Sequence, residues 1–115
     1  METLKLYYSN AWEYEFLKMP KFLFEHDEFA EVSFKAKMLY AALLDRSALS
    51  ARNGWRDKNN RVFIKYTLSE ACEFLCCSIP TAVKLFRELE EVGLIEKKKG
   101  RKGGPDRIYV MVFIE

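Results

Sequence analysis

The chain has 115 residues, of which 50% are hydrophobic, and its formal net charge is only +2. A chain of this length buries about two-thirds of its unfolded surface, so one folded domain is expected and a disordered tail is excluded. No apolar run approaches the roughly 20 residues of a membrane-spanning helix, and the N-terminus lacks the basic start and apolar block of a signal peptide. We therefore expect a cytoplasmic protein that has no membrane partner.

The cysteines point to a reducing compartment. Cys72, Cys76 and Cys77 lie within six residues of one predicted helix, where they cannot join distant parts of a fold. A metal site needs about four converging ligands, and the only histidine, His26, lies far away among acidic residues. We expect small, buried, reduced cysteines, and neither a metal nor another cofactor.

Residues 1–32 are predicted to form an N-terminal arm that is rich in aromatic side chains. The stretch 4–24 has no clean helical or two-residue period, which favours an irregular or strand-like conformation that stops at Pro20. The aromatic side chains either pack back on the domain or form a subunit interface, and the pattern leaves both open. The candidate dimer contacts are Tyr7, Tyr8, Trp12, Tyr14 and Phe16.

The next segment predicts the central helix of the core. Ser33 can cap a helix from residue 34 to about 49, and its middle is apolar nearly all round, so it must be covered on more than one side. The loop 50–61 is rich in turn-forming residues and carries Trp55, which we expect to pin the loop to the body. Residues 62–66 are β-branched and aromatic, which predicts a short strand.

Two helices are predicted after that strand, with only a residue or two between them. Thr67 and Glu70 have the T-x-x-E spacing of a capping box, and this short helix ends near residues 76–77. Ser78 caps the next helix, in whose first turn Pro80 is tolerated because the amides there have no helical partner. Helices so closely spaced predict a helix-turn-helix.

The second of these helices has the side chains of a DNA-recognition helix. Its apolar residues form one inward stripe, whereas the opposite face is polar and cationic in the first turns and acidic later. A recognition helix contacts base edges with its N-terminal turns, and this gradient is hard to explain for a purely structural helix. The candidate base-reading residues are Ser78, Thr81, Lys84 and Arg87.

A basic hairpin is predicted after this helix. Gly93 is a natural helix end, residues 94–98 and 107–114 form strands, and the last strand is apolar on both faces, so both must be covered. Residues 97–107 carry six basic residues and one acidic residue, whereas residues 1–31 carry three basic and seven acidic, and this asymmetry favours a polyanion at one end. The candidate wing contacts with the DNA backbone are Lys98, Lys99, Arg101, Lys102 and Arg107.

These elements predict an α+β, mainly α, fold: a winged helix-turn-helix over residues 33–115 that forms one globular unit with the arm. Five sequence blocks follow one another within residues 19–110: MPKFLFE, AKMLYAALLDRSALSARNGWRD, RVFIKYTLSE, CSIPTAVKLFRELEEVGLIEKK and GPDRIYV. The set resembles the N-terminal domain of plasmid replication initiator protein A, the RepA_N family. The wing, GRKGGPD, departs from that family's form, which is closer to QGxGKP.

The resemblance implies a bacterial DNA-binding domain that acts as a homodimer on repeated sites in double-stranded origin DNA. It also implies a separate C-terminal domain, which this chain lacks, as the contact for host replication proteins. Such a domain recognises DNA and carries no catalytic residues, so the resemblance agrees with the DNA-binding pattern of the helix and the hairpin.

Other functions fit parts of the pattern. A winged-helix transcriptional regulator would use the same helix and wing, and footprints at a promoter rather than at origin repeats would identify it. A protein-docking module of the replication machinery would not need the basic wing. An enzyme is not expected, because the sequence has one histidine, no glycine-rich phosphate loop that opens a helix and no acid pair tied to a nucleophile. The sequence leaves open the target sequence, the half-site spacing and the dimer surface.

Overall fold

The computed structural model describes residues 17–100 and 106–113. The candidate dimer contacts Tyr7, Tyr8, Trp12, Tyr14 and Phe16, and the wing residues Arg101 and Lys102, lie outside the described residues. The described elements, in chain order, are α1 (Phe22–Glu25), a 3-10 turn (Asp27–Phe29), α2 (Phe34–Arg52), α3 (Leu68–Leu75), α4 (Ile79–Glu91), β1 (Ile95–Lys98) and β2 (Arg107–Val110).

The predicted irregular or strand-like stretch stops at Pro20, and its described residues 17–20 have no regular secondary structure. The helix that follows, α1, was not predicted. α1 begins just after Pro20, whose carbonyl accepts a hydrogen bond from the Leu23 amide at 3.3 Å. Leu23 and Phe29 are buried in the main core. The sequence analysis did not predict this helix, because burial of these side chains decides its conformation and the short segment has too few residues for a visible period.

α2 is the central helix, as predicted. Ser33 caps it, since its Oγ accepts a hydrogen bond from the Ala36 amide at 3.2 Å. The helix continues to Arg52, past the predicted end near residue 49. Gly54 follows with a φ of 77°, a left-handed conformation that glycine adopts without strain, and the chain turns there. Leu39, Tyr40 and Leu43, on the inner faces of α2, have no solvent exposure.

α3 and α4 form the predicted helix-turn-helix. The Thr67 side chain accepts a hydrogen bond from the Glu70 amide at 3.0 Å and so caps α3. The other half of the expected capping box is replaced, because the Glu70 carboxylate instead pairs with the Arg46 guanidinium of α2 at 3.3 Å. Cys76 adopts a left-handed conformation with a φ of 51°, which reverses the chain before Ser78 caps α4.

The three cysteines are free thiols, but they are less buried than predicted. Cys72 and Cys77 are half-buried, and Cys76 is exposed because it occupies the reversal between the two helices. Burial raises the pKa of the Cys72 thiol, which therefore stays protonated at neutral pH. Within the described ranges, no group of histidine, cysteine and carboxylate side chains is placed to hold a metal ion.

β1 and β2 form an antiparallel pair whose register joins Ile95 to Val110 and Lys98 to Arg107. The strand predicted over residues 62–66 is reduced to isolated bridges, of which one joins Ile64 to Ile108 through two hydrogen bonds of 2.9 Å. The other joins Val62 to Arg56, so the segment pairs with two different neighbours and extends neither pairing into a strand.

β2 is covered on both faces, as predicted, since Ile108 and the adjacent Tyr109 are both buried. It is shorter than the predicted strand 107–114 and ends at Val110. Beyond it, Phe113 packs against Phe22 and Phe29 of the N-terminal segment.

The arrangement is a winged helix-turn-helix. α4 packs against α2, α3 and β1, and the β1–β2 hairpin is the wing. Among the residues described, no helix is both long and apolar enough to cross a bilayer.

Candidate nucleic-acid interface

The outer face of α4 carries the predicted cationic residues into solvent. Leu85, Phe86 and Leu89 are buried on the inner face, which fixes the rotation of the helix. Lys84 and Arg87 consequently lie on the exposed face. Long cationic side chains on the first turns of such a helix can reach guanine O6 and N7 in a major groove.

Ser78 and Thr81 have a structural role at the start of α4. The Ser78 Oγ accepts a hydrogen bond from the Thr81 amide at 3.4 Å and lies 3.0 Å from the Thr81 hydroxyl oxygen. The two hydroxyl groups thus partner each other and the end of the helix, and Thr81 is half-buried. Their predicted contact with bases is an additional role that remains a prediction.

Two apolar side chains on the same surface were missed by the sequence analysis. Ile79 and Val83 are 56% and 36% exposed and lie on the first two turns of α4. Their signal in the sequence is that they fall outside the inward stripe of the helix. Apolar side chains at such positions can contact the methyl group of thymine, which no other base carries.

Two of the three acidic residues of α4 have specific partners, whereas Glu91 is exposed. The Glu88 carboxylate accepts hydrogen bonds from the Ser33 amide at 2.8 Å and the Ser33 hydroxyl at 3.0 Å. Glu90 pairs with Lys97 of the wing at 3.7 Å. The gradient of charge along α4 therefore has a structural basis in part, because Glu88 links the helix to the start of α2 and Glu90 links it to β1.

The described wing cations lie on or beside the hairpin strands. Lys98 and Arg107 face each other across the pair, and Lys99 is exposed where the hairpin leaves β1. The Arg107 guanidinium lies 4.4 Å from the centre of the Phe63 ring, and the Lys98 ammonium lies 5.6 Å from that of Tyr109. The three predicted wing residues within the described chain are thus brought together.

An open cleft of about 660 Å³ separates these wing residues from the loop that follows α2. We call it the loop–wing cleft. Sequence analysis missed the loop cations, because nothing local in the sequence places this loop beside the wing. The loop–wing cleft is lined by Arg56, Asp57, Lys58, Asn59, Phe63, Lys65, Lys98, Lys99, Gly100, Arg107 and Tyr109.

Residues 15–115 match the family described as Replication initiator protein A (RepA) N-terminus. The chain belongs to this family. Among curated proteins, it is similar to a 41 kDa protein of Lactobacillus helveticus, with 29% identity over 102 residues. The match covers 84% of this chain and 29% of that protein, so the chain spans less than a third of the length of this relative.

Solved structures similar to this RepA N-terminal domain include proteins described as DNA-binding. One, described as the N-terminal domain of a DNA-binding protein, has a TM-score of 0.80 and 25% identity, and the match covers 99% of this chain and 87% of that one. Another, described as a Rep–DNA complex, has a TM-score of 0.80 and 26% identity, with 97% and 86% covered. A third, described as an MDR initiator, has a TM-score of 0.75 and 27% identity, with 95% and 86% covered.

Proposed function

We propose that this RepA N-terminal domain binds double-stranded DNA sequence-specifically for a plasmid replication initiator, and that it recognises repeated sites at the origin as a homodimer. The observation that carries the proposal is the exposed pair Lys84 and Arg87 on the outer face of α4, beside a basic wing. The similarity to a structure described as a Rep–DNA complex supports the same function. The domain itself is proposed to bind and not to catalyse.

Base recognition is assigned to the first turns of α4. Lys84 and Arg87 would donate hydrogen bonds to guanine, with Ser78 and Thr81 near the same base edges, and each good bidentate contact discriminates by roughly 1 to 3 kcal/mol. Ile79 would favour a thymine methyl group over the other bases at its position. These contacts supply specificity.

Affinity is assigned mainly to the wing, through phosphates or the minor groove. Each neutralised phosphate contributes about 0.9 to the slope of log affinity against log salt concentration, so five contacts would give a slope of about 4 to 5. The residues proposed to make these contacts are Lys98, Lys99, Arg101, Lys102 and Arg107.

Dimerisation would place two copies of α4 on related half-sites by two-fold symmetry. The candidate contacts of that dimer remain Tyr7, Tyr8, Trp12, Tyr14 and Phe16. Contacts with host replication proteins are assigned to another domain of the whole initiator, in agreement with the short share of the L. helveticus relative that this chain matches.

The test is a double variant, Lys84→Ala with Arg87→Ala, measured by fluorescence anisotropy on an origin-repeat duplex and on a scrambled duplex. Loss of one or two base contacts should weaken binding to the repeat by about 10- to 100-fold, with a much smaller effect on the scrambled duplex. The control is Lys21→Ala with Lys35→Ala, which removes the same charge from exposed positions outside α4.

Equal losses on both duplexes would refute base reading by α4. The DNA itself is identified by selection of bound fragments from the host replicon. Repeats within an origin are expected, whereas a single promoter site would identify a transcriptional regulator instead. Sedimentation with and without the repeat tests the dimer, for which two protein chains per pair of half-sites are expected.

A further inference from the structure

The loop–wing cleft concentrates positive charge that forms no ion pair with a carboxylate of the described residues. Its lining holds six basic residues against one acidic residue, Asp57. The ion pairs in the described part of the chain are Arg46–Glu70, Arg61–Glu96 and Lys97–Glu90, and none of the six basic residues takes part in them. The six are Arg56, Lys58, Lys65, Lys98, Lys99 and Arg107.

Asp57 forms no ion pair with these six cations, because neutral donors of the loop and of β2 occupy both oxygens of its carboxylate. One oxygen accepts hydrogen bonds from the Asn59 and Arg61 amides, each at 2.9 Å. The other accepts a hydrogen bond from the Tyr109 hydroxyl at 2.9 Å. The carboxylate thus closes the turn over residues 57–61 and ties it to β2, which sets one wall of the cleft at a fixed distance from the other.

Aromatic rings order several of the cations. Trp55, Phe63 and Tyr109 form a row with centroid distances of 6.2 and 6.3 Å. Arg107 lies over Phe63 at 4.4 Å, and Lys65 lies over Trp55 at 5.8 Å. A cation that rests on a ring keeps its N–H donors free for an anion and loses less side-chain entropy when the anion binds.

The cleft lies on the side of the wing that faces away from the core. Successive side chains of a strand point to opposite faces, and Ile64 and Ile108 are in the core, so Lys65 and Arg107 point the other way. α4 contacts the opposite face, where Lys97 lies 4.5 Å from the centre of the Phe86 ring. The hairpin thus has α4 on one face and the cleft on the other, so the cleft is a surface distinct from α4.

We propose that the loop–wing cleft binds the phosphodiester backbone of duplex DNA that flanks the base-read site, beyond the wing. The inference rests on the proposed function and extends its footprint. Single-stranded DNA fits less well, because stacking of bases needs open aromatic faces, and the two rings that line the cleft, Phe63 and Tyr109, are only 9% and 3% exposed. Trp55 is 46% exposed but is not part of the lining. A row of ordered cations along an open cleft matches repeated phosphates instead.

The test uses a triple variant, Arg56→Ala, Lys58→Ala and Lys65→Ala, which leaves α4 and the wing intact. Binding is measured on two duplexes that share one origin repeat, of which only the longer extends past the wing. On the longer duplex the variant should lose about 10- to 100-fold in affinity at 0.1 M salt, and its log–log salt slope should fall by about 2 to 3. On the shorter duplex it should equal the wild type.

Two control variants separate charge and position from other effects. Arg56→Lys with Lys58→Arg and Lys65→Arg keeps the charges and should retain most of the affinity. Lys18→Ala with Lys21→Ala and Lys35→Ala removes three exposed charges elsewhere and should leave the preference for the longer duplex unchanged. Equal urea midpoints for all variants confirm that folding is intact.

Unchanged affinity and slope of the triple variant on the longer duplex would overturn the cleft proposal and leave the proposed function standing, provided that the α4 variant still loses the repeat. The cleft proposal would also be overturned if the triple variant lost binding to a single-stranded oligonucleotide but kept its affinity for the longer duplex. A wild-type protein that binds no duplex at low salt would refute the proposed function itself, and the cleft proposal with it.

Discussion

At the scale of single residues, Asp57 shows how one carboxylate organises a loop. The hydrogen bond from the Arg61 amide is the main cause that lowers its pKa, and the Tyr109 hydroxyl and the Asn59 amide act in the same direction. The carboxylate is therefore held in its charged form, and its hydrogen bonds stabilise the folded state. Local turn residues predict this loop, but the Tyr109 partner lies 52 positions away and has no local signal.

We predict that Asp57→Asn lowers stability in a pH-dependent way. Because the pKa is lower in the folded than in the unfolded state, the stabilisation is complete above the unfolded pKa of about 4 and is lost as the pH falls through the folded pKa. Urea unfolding should show a clear difference between variant and wild type at pH 7 and a smaller one at pH 3. Asp45→Asn, at an exposed position of α2, is the control. Its difference in stability from the wild type should be the same at pH 7 and at pH 3.

At the scale of elements, the helices could be predicted from local sequence, whereas the contacts between elements could not. The caps at Ser33, Thr67 and Ser78 are all confirmed, since each needs only a hydroxyl a few residues before an apolar stripe. The strand predicted over 62–66 is wrong, because a strand depends on the partner that it meets. The contact of Glu88 could not be predicted either, because its partner Ser33, which caps α2, lies 55 positions away in the sequence.

We predict that Glu88→Ala costs about 1 to 2 kcal/mol of unfolding free energy, since it removes a charged acceptor from the amide and hydroxyl that begin α2. The value is moderate because the contact is exposed to solvent. Urea denaturation followed by circular dichroism measures it. Glu91→Ala, which removes an exposed acid from the same helix, is the matched control, and equal effects of the two substitutions would contradict this assignment.

At the scale of the whole molecule, an aromatic cluster joins the two ends of the described chain. Phe113 lies 6.0 Å from Phe22, 5.8 Å from Phe29 and 4.4 Å from His26, measured between ring centres. The sequence gives the apolar character of both segments but not their pairing, which depends on where β2 ends. The winged helix-turn-helix as a whole could be predicted, because the capped helices, the glycine after α4 and the basic hairpin follow one another in the order that this fold requires.

We predict that Phe113→Ala destabilises the domain by about 2 to 3 kcal/mol, below the usual range for a fully buried phenylalanine because this ring is half-buried. Hydrogen exchange should show that the amides of α1 lose protection more than those of α4. Val112→Ala, at a neighbouring exposed position, should change stability by less than about 0.5 kcal/mol. Equal losses of protection in α1 and α4 would count against a local role of the cluster.

The junction between α4 and the wing has a consequence for any bound duplex. Gly93 turns the chain with a φ of 79°, the Leu94 amide donates to the Leu89 carbonyl at 2.9 Å, and Lys97 is held by Glu90 and Phe86. These contacts set the separation between α4 and the described strands of the wing. A duplex bound as proposed must adjust its own groove width to that separation, and the energy of this adjustment depends on the stiffness of base steps that no side chain touches.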